Sequence, residues 1–258
     1  MSTPIKPTIV LIPASFSPVS LYDAVISNLE SHGYAVHGVE HQTVGRREKA
    51  PTMYDDAKGV ADVVGRLVDE GKDVALVAHS YGGTVACEAA KGLAKSVRER
   101  EGKSGGIVRI IFVAACVPME GKAMMEVFGE GMVSHAIKVE MVGEYLVLDK
   151  ATCATGGYSD LPHDEALVWA SKMREHAAAS FSQKITYAAY KDIPATYLFC
   201  EEDRGVIPEA QDKIIADMES QMGGQKVQKI SVKSGHHINA SQPETMATVI
   251  RKALGDVA

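Results

Sequence analysis

The stretch Asp73-Val-Ala-Leu-Val-Ala-His-Ser-Tyr-Gly-Gly-Thr84 decides the fold. Its first half is an apolar run without the period-two alternation of a half-exposed strand, so it reads as a strand covered on both faces. The second half turns abruptly. Ser80 is followed by Tyr81 and then by Gly82 and Gly83, which allow a tight strand-to-helix approach where a Cβ would collide with neighbouring backbone. A serine on such a turn is lifted above the carboxyl end of the sheet, where its hydroxyl can act as a nucleophile. The pattern G-x-S-x-G is met with Ala78 in place of the first glycine, the smallest replacement available. A serine that merely caps the following helix is the competing reading, and residues elsewhere in the chain must decide between the two.

Working outward, five more short apolar or β-branched runs occur at 8–12, 34–39, 108–114, 195–200 and 227–232, with the run at 74–78 making six. Helix-length patterns lie between most of them, at 22–32, 53–70, 83–100, 208–221 and 244–254. Strands alternating with helices imply right-handed crossovers and a parallel sheet with helices on both faces. The interval 117–191 breaks the rhythm. It carries Met119, Met124, Met125, Met132 and Met141, glycines at Gly129 and Gly131, and helical patterns at 163–175 and 177–190. A connection this long in a compact domain carries structure or function. It is expected to form a helical cap, inserted between core segments 1–116 and 192–258. The methionines fit either an adaptable pocket or an ordinary core.

Two further pieces belong with Ser80. Ser234-Gly-His-His-Ile238 lies between the last strand and the last helix, where a histidine can take the serine's proton and return it to a leaving group. His236, after Gly235, is the first candidate and His237 its neighbour. The strand at 195–200 runs into Glu201-Glu202-Asp203 ahead of Pro208, and one of these carboxylates should orient the histidine. Asp203, nearest the bend, ranks before Glu202 and Glu201. The chain order Ser, Asp, His is that of the nucleophile-turn architecture. Backbone N–H groups must then receive a developing oxyanion. Tyr81 supplies one, and the loop after the first strand, Pro13-Ala-Ser-Phe-Ser-Pro18, the other, through Ser15 with Phe16 as its neighbour. Phe16, His79, Met124 and Met125 are taken as the substrate contacts.

Composition excludes several other classes. The chain has 258 residues, 46% of them apolar, enough for one substantial core. Its net charge is −6 and its 27 Lys and Arg residues are scattered, so nucleic acid is not expected as a partner. Cys87, Cys116, Cys153 and Cys200 are widely spaced without a ligand pattern, as expected for free thiols in a reducing, cytoplasmic setting. The N-terminal apolar run is too short for a signal peptide, and no run reaches the ~20 apolar residues of a membrane span. No GxGxxG follows the first strand, and the glycines near Gly105 precede a strand where a phosphate loop should follow one, so neither a cofactor nor a metal is expected.

At this point the chain resembles the α/β-hydrolase superfamily, and within it the group of plant methyl esterases, hydroxynitrile lyases and related fungal proteins. The resemblance covers nearly the whole chain. It rests on Ile12-Pro-Ala-Ser-Phe-Ser-Pro18, Ala78-His-Ser-Tyr-Gly-Gly83, Phe199-Cys-Glu-Glu-Asp-Arg204, Ser234-Gly-His236 and Ser241-Gln-Pro243. It implies a six-stranded parallel core in spatial order 2-1-3-4-5-6, and it favours His236 and Asp203 over their neighbours. Such proteins commonly have glycine where Ala14 and Ala78 stand, beside the oxyanion site. The expected function is a serine hydrolase of a small, largely apolar ester or related carbonyl compound, with fungal secondary metabolism as a setting. A lyase or isomerase on the same residues and a non-catalytic ligand receptor are the rivals. A small molecule is the expected partner, and a homodimer is left open.

Overall fold

The computed structural model describes residues 6–128 and 136–256, so Gly129, Gly131 and Met132 lie outside the described residues. Six strands form the main sheet: β1 (Thr8–Ile12), β2 (Val36–Gly38), β3 (Asp73–His79), β4 (Gly106–Val113), β8 (Ala195–Cys200) and β9 (Gln228–Val232). Their spatial order is β2-β1-β3-β4-β8-β9 and every pairing is parallel. Counting the sheet's own strands alone, this is the expected 2-1-3-4-5-6. Three further strands, β5 (Val139–Val142), β6 (Tyr145–Leu148) and β7 (His176–Ala177), form a separate antiparallel sheet between β4 and β8.

The missing alternation in the strand sequences has a direct cause. On β1, Ile9 and Leu11 face α1 (Asp23–Ser31) and α9 (Pro243–Ala253), packing with Leu29 and Ile250. Val10 and Ile12 face the other way, with Val60 and Val64 of α2 (Met53–Asp69) and Ile214 of α7 (Pro208–Gln221). On β3, Ala75 and Val77 fall on the first side and Val74, Leu76 and Ala78 on the second. The middles of β1 and β3 are therefore apolar at successive positions because both faces are covered, whereas the edge strands β2 and β9 are largely exposed.

Helix boundaries follow local chemistry. Thr52 caps α2 reciprocally with Asp55: the Asp55 N–H donates to Thr52 Oγ1, and the Asp55 carboxylate accepts from the Thr52 N–H. The expected helix at 83–100 is two helices, α3 (Gly82–Ala89) and α4 (Lys95–Arg100). Gly92, at φ 75°, breaks the run, and the next carbonyl, Leu93 O, accepts from Ile107 N–H instead of continuing a helix.

The segment 117–191 departs further from expectation, being mixed rather than helical. α5 (Lys150–Gly156) and α6 (His163–Lys172) are present. A hairpin of β5 and β6 precedes them, turning at Gly143 with φ 65°. The stretch 177–190, expected as a helix, contains two 3-10 turns, Ala178–Phe181 and Ala189–Lys191. Its backbone groups serve β7 and the 3-10 turns: Ala177 N–H donates to Thr43 O, and Ala178 N–H to Glu144 O.

Candidate active site

Four loops meet at the carboxyl ends of parallel strands: the one after β1, the turn after β3, and those after β8 and β9. Ser80 sits on the β3-to-α3 turn with φ 52°, a left-handed conformation that a serine adopts only when its surroundings enforce it. They do so by hydrogen bonds on both sides. Ser80 N–H donates to Val113 O at 3.0 Å, and Ser80 O accepts from Gly83 N–H at 3.0 Å and Cys116 N–H at 2.9 Å. The glycines permit the approach. A Cβ on Gly82 would lie 2.6 Å from Ile12 O, and one on Gly83 2.9 Å from Cys116 O.

His236 Nε2 lies 3.0 Å from Ser80 Oγ, and His236 Nδ1 lies 2.7 Å from Asp203 Oδ2. The other carboxylate oxygen, Oδ1, accepts from Gly205 N–H at 2.7 Å and Val206 N–H at 2.9 Å. A carboxylate held by two donors presents an acceptor to the imidazole, so Nδ1 carries the ring proton and the Nε2 lone pair faces the serine hydroxyl. Asp203 is 3% exposed. Its neighbours Glu201 and Glu202 are exposed, and Glu202 faces Lys233 at 3.5 Å. His237 turns away from Ser80 and stacks on Tyr158 at 4.2 Å between ring centroids. Burial, then the adjacent His236 and His79, hold its imidazole well below the ordinary range.

The backbone N–H groups of the loop after β1 can be accounted for one by one. Pro13 has no N–H. Ala14 N–H donates to Tyr22 Oη at 2.9 Å, Phe16 N–H to His176 Nδ1 at 3.3 Å, and Ser17 N–H to Ala14 O at 3.4 Å. Among the described residues, the Ser15 and Tyr81 N–H groups have no hydrogen-bond partner. Tyr81 follows Ser80 directly in the chain, and Ser15 shares a cavity lining with it.

A cavity of about 210 Å³ opens on these groups. Ala14, Ser15, Phe16 and Gly205 line it from the core, and Met124, Phe128, Leu148, Met173 and Phe181 from the inserted segment. No Asp, Glu, Lys or Arg belongs to its described lining. Cys116 and Cys153 also line it, but burial pushes their thiols up to about 12 and about 11, so they stay protonated and inert. Two expected substrate contacts lie elsewhere. Met125 is 62% exposed, because the 3-10 turn Met124–Val127 sends only Met124 and Val127 inward. His79 is buried beneath the site. Its Nε2–H donates to His236 O at 2.9 Å and its Nδ1 accepts from the Tyr22 hydroxyl at 2.7 Å.

Three supporting residues were not legible in the sequence. Tyr22 joins the loop after β1 to His79, and through it to the His236 backbone. Asp56, 1% exposed, accepts from Tyr81 Oη at 2.9 Å and from Thr43 N–H and Oγ1 at 3.0 and 2.6 Å, anchoring the side chain next to Ser80. Asp160 accepts from Gly235 N–H at 2.8 Å and Ser241 Oγ at 2.6 Å, tying the inserted segment to the histidine loop. The extra carboxylates and tyrosine stand in ordinary helical or loop contexts, so no local signal marks them. Among the described residues, no group of three or more His, Cys, Asp or Glu side chains is arranged to hold a metal, and no helix is long and apolar enough to cross a membrane.

A parallel sheet covered on both faces, with a serine on the turn after its third strand and a histidine on the loop after its last, defines the α/β hydrolases. The chain belongs to the alpha/beta hydrolase family, whose model matches residues 9–249. It is 32% identical to a probable hydrolase, R7, of a Phoma species, over 97% of this chain and 99% of that one. It is 25% identical to the alpha/beta hydrolase nvfD of Aspergillus novofumigatus, over 98% of each. Similar solved structures include an extracellular α/β-hydrolase from a Paenibacillus species, with TM-score 0.74 and 20% identity over 96% of this chain and 98% of that one. Another is tomato methylketone synthase I complexed with 2-tridecanone, with TM-score 0.73 and 17% identity over 97% and 98%. At these identities the structural likeness is one of fold.

Proposed function

We propose that the protein is a serine hydrolase that cleaves a small, largely apolar ester or related carbonyl compound, without a cofactor. One observation carries the reading: a hydrogen-bonded Ser80–His236–Asp203 relay opens, between two unpartnered backbone N–H groups, into an uncharged apolar cavity. Ser80 Oγ attacks the carbonyl carbon as His236 Nε2 takes its proton, and the N–H groups of Ser15 and Tyr81 receive the oxyanion. The imidazolium, steadied by Asp203, then protonates the leaving alkoxide, leaving an acyl-serine. Water, activated by the same imidazole, attacks that acyl group and releases the acid.

The inserted segment 117–191 serves in this reading as a cap, since it supplies most of the apolar lining. Unpaired, buried cysteines fit a reducing, cytoplasmic compartment. The two curated relatives are fungal hydrolases, which suits a role in fungal secondary metabolism.

The test is labelling by a fluorophosphonate together with turnover of short p-nitrophenyl esters, comparing wild type with Ser80→Ala and His236→Ala. Labelling and turnover that vanish in both variants are expected. A folded wild-type protein that neither labels nor turns over would overturn the acyl-enzyme and leave a lyase or isomerase on the same residues.

A further inference from the structure

We infer that His176, a residue of the inserted segment that does not line the cavity, positions the oxyanion donor by clamping Phe16 in a left-handed conformation; this rests on the hydrolase reading above. Phe16 has φ 62°, a region that a bulky side chain occupies only where its surroundings over-determine it. Here they do so on both sides of the residue. Phe16 N–H donates to His176 Nδ1 at 3.3 Å, and Arg174 N–H donates to Phe16 O at 2.8 Å. The two partners are two residues apart in the inserted segment, and they grip one residue of the core from across the chain.

Each atom of His176 has a single role. Because Nδ1 accepts from a backbone N–H, the ring proton lies on Nε2, which faces Ser180 Oγ at 2.9 Å, and that hydroxyl donates onward to Ala177 O at 2.8 Å. The ring is fully buried and packs on Phe16, Phe181 and Tyr81 at centroid distances of 5.2, 4.9 and 4.9 Å. Burial and the neighbouring His41 hold the imidazole well below its ordinary range, which keeps Nδ1 an acceptor.

The consequence falls on Ser15. Its flanking residues are tied, Ala14 N–H to Tyr22 and Phe16 N–H to His176, so the Ser15 N–H is the one amide of the loop left for a ligand. Released from His176, Phe16 relaxes toward negative φ, and the change passes back through Ser15 to the Ala14–Ser15 peptide that carries the donor N–H. Seating of the inserted segment and assembly of the oxyanion site are thereby one event.

The experiment compares His176→Phe, which keeps the ring and removes the acceptor, with His176→Asn, whose Oδ1 takes the place of Nδ1. Turnover of a p-nitrophenyl ester gives kcat and KM, and hydrogen exchange resolved at the Phe16 amide reads the clamp without turnover. The expected result for His176→Phe is faster Phe16 exchange and a kcat lower by about 10- to 100-fold with KM little changed, the scale on which a misplacement of about 1 Å acts. His176→Asn should recover most of both. Wild-type exchange and kcat in His176→Phe, or an equal loss in both variants, would overturn the clamp. If His176→Phe does not fold, Ser180→Ala removes the acceptor of the Nε2–H and so loosens the ring's hold; it should lower kcat in the same direction, and an unchanged kcat overturns the proposal. A wild-type protein without turnover sinks the hydrolase reading, and the exchange measurement then still decides the clamp.

Discussion

Asp203 uses its two oxygens differently: Oδ1 is held by the amides of Gly205 and Val206, and Oδ2 holds the imidazole. Asp203→Asn keeps the shape but offers an amide where an acceptor is needed, favouring the imidazole tautomer with Nδ1 bare. We expect kcat to fall by about 10⁴-fold with little change in thermal midpoint, checked by ester kinetics beside a melting curve. A variant with near wild-type kcat would remove Asp203 from the mechanism. Tyr22 is the contrasting case, because its hydroxyl is buried and has two partners, Ala14 N–H and His79 Nδ1. Tyr22→Phe strands both and should cost about 1–3 kcal/mol, read from the urea midpoint. No loss of stability would mean that these groups find other partners.

At the scale of elements, the close passage of α3 over β1 is what Gly82 makes possible. A methyl there meets Ile12 O and Pro13 O at 2.6 and 2.7 Å, and both acceptors belong to backbone that cannot swing aside. Gly82→Ala is expected to destabilise by about 1–3 kcal/mol, with an unchanged denaturant slope. A neutral substitution would show that the helix can back away. The parallel sheet was legible because its central strands, β1, β3, β4 and β8, are largely apolar runs set among helical patterns. The β5–β6 hairpin was not, although Val139 to Leu148 is strand-like around Gly143: β5 is exposed along its length, so burial leaves no clean alternation in it. The stretch 177–190 carries helix-forming alanines, but β7 pairing and the Ser180 contact with His176 override that preference.

For the whole molecule, three buried imidazoles dominate the response to acid. Burial first holds His79, His176 and His237 well below the ordinary range; the neighbouring His236 adds to this at His79 and His237, and His41 at His176. The folded protein keeps them neutral, whereas the unfolded chain takes up protons below about pH 6.5. Their contribution is therefore complete above that pH and is lost as pH falls through and below it, by up to about 1.4 kcal/mol per pH unit for each histidine. Urea midpoints should drop steeply from about pH 7 to about pH 5; a flat profile would mean that the histidines stay accessible to protons in the fold. The cavity acts at the same scale. With no charged side chain in its described lining, it should disfavour esters bearing a carboxylate near the scissile bond. Comparing kcat/KM for a neutral ester and an isosteric charged one checks this, and equal values would place the reacting group outside the cavity.

What the sequence determined by itself is local and contiguous. A doubly apolar strand, a serine and two glycines specify a tight turn because every participant lies within a dozen residues. The order of strands and helices then limits the sheet to few topologies. The tertiary structure decided the matters of choice between neighbours: His236 and not His237 faces Ser80, Asp203 and not Glu201 or Glu202 reaches the imidazole, and the Ser15 amide, not that of Phe16, is left free. Each choice depends on a distance of a few ångströms between residues far apart in the chain, such as the 160 positions between Phe16 and His176. A pattern of residue types carries no measure of such a distance, because it is set only when the core packs and every buried polar group must find its partner.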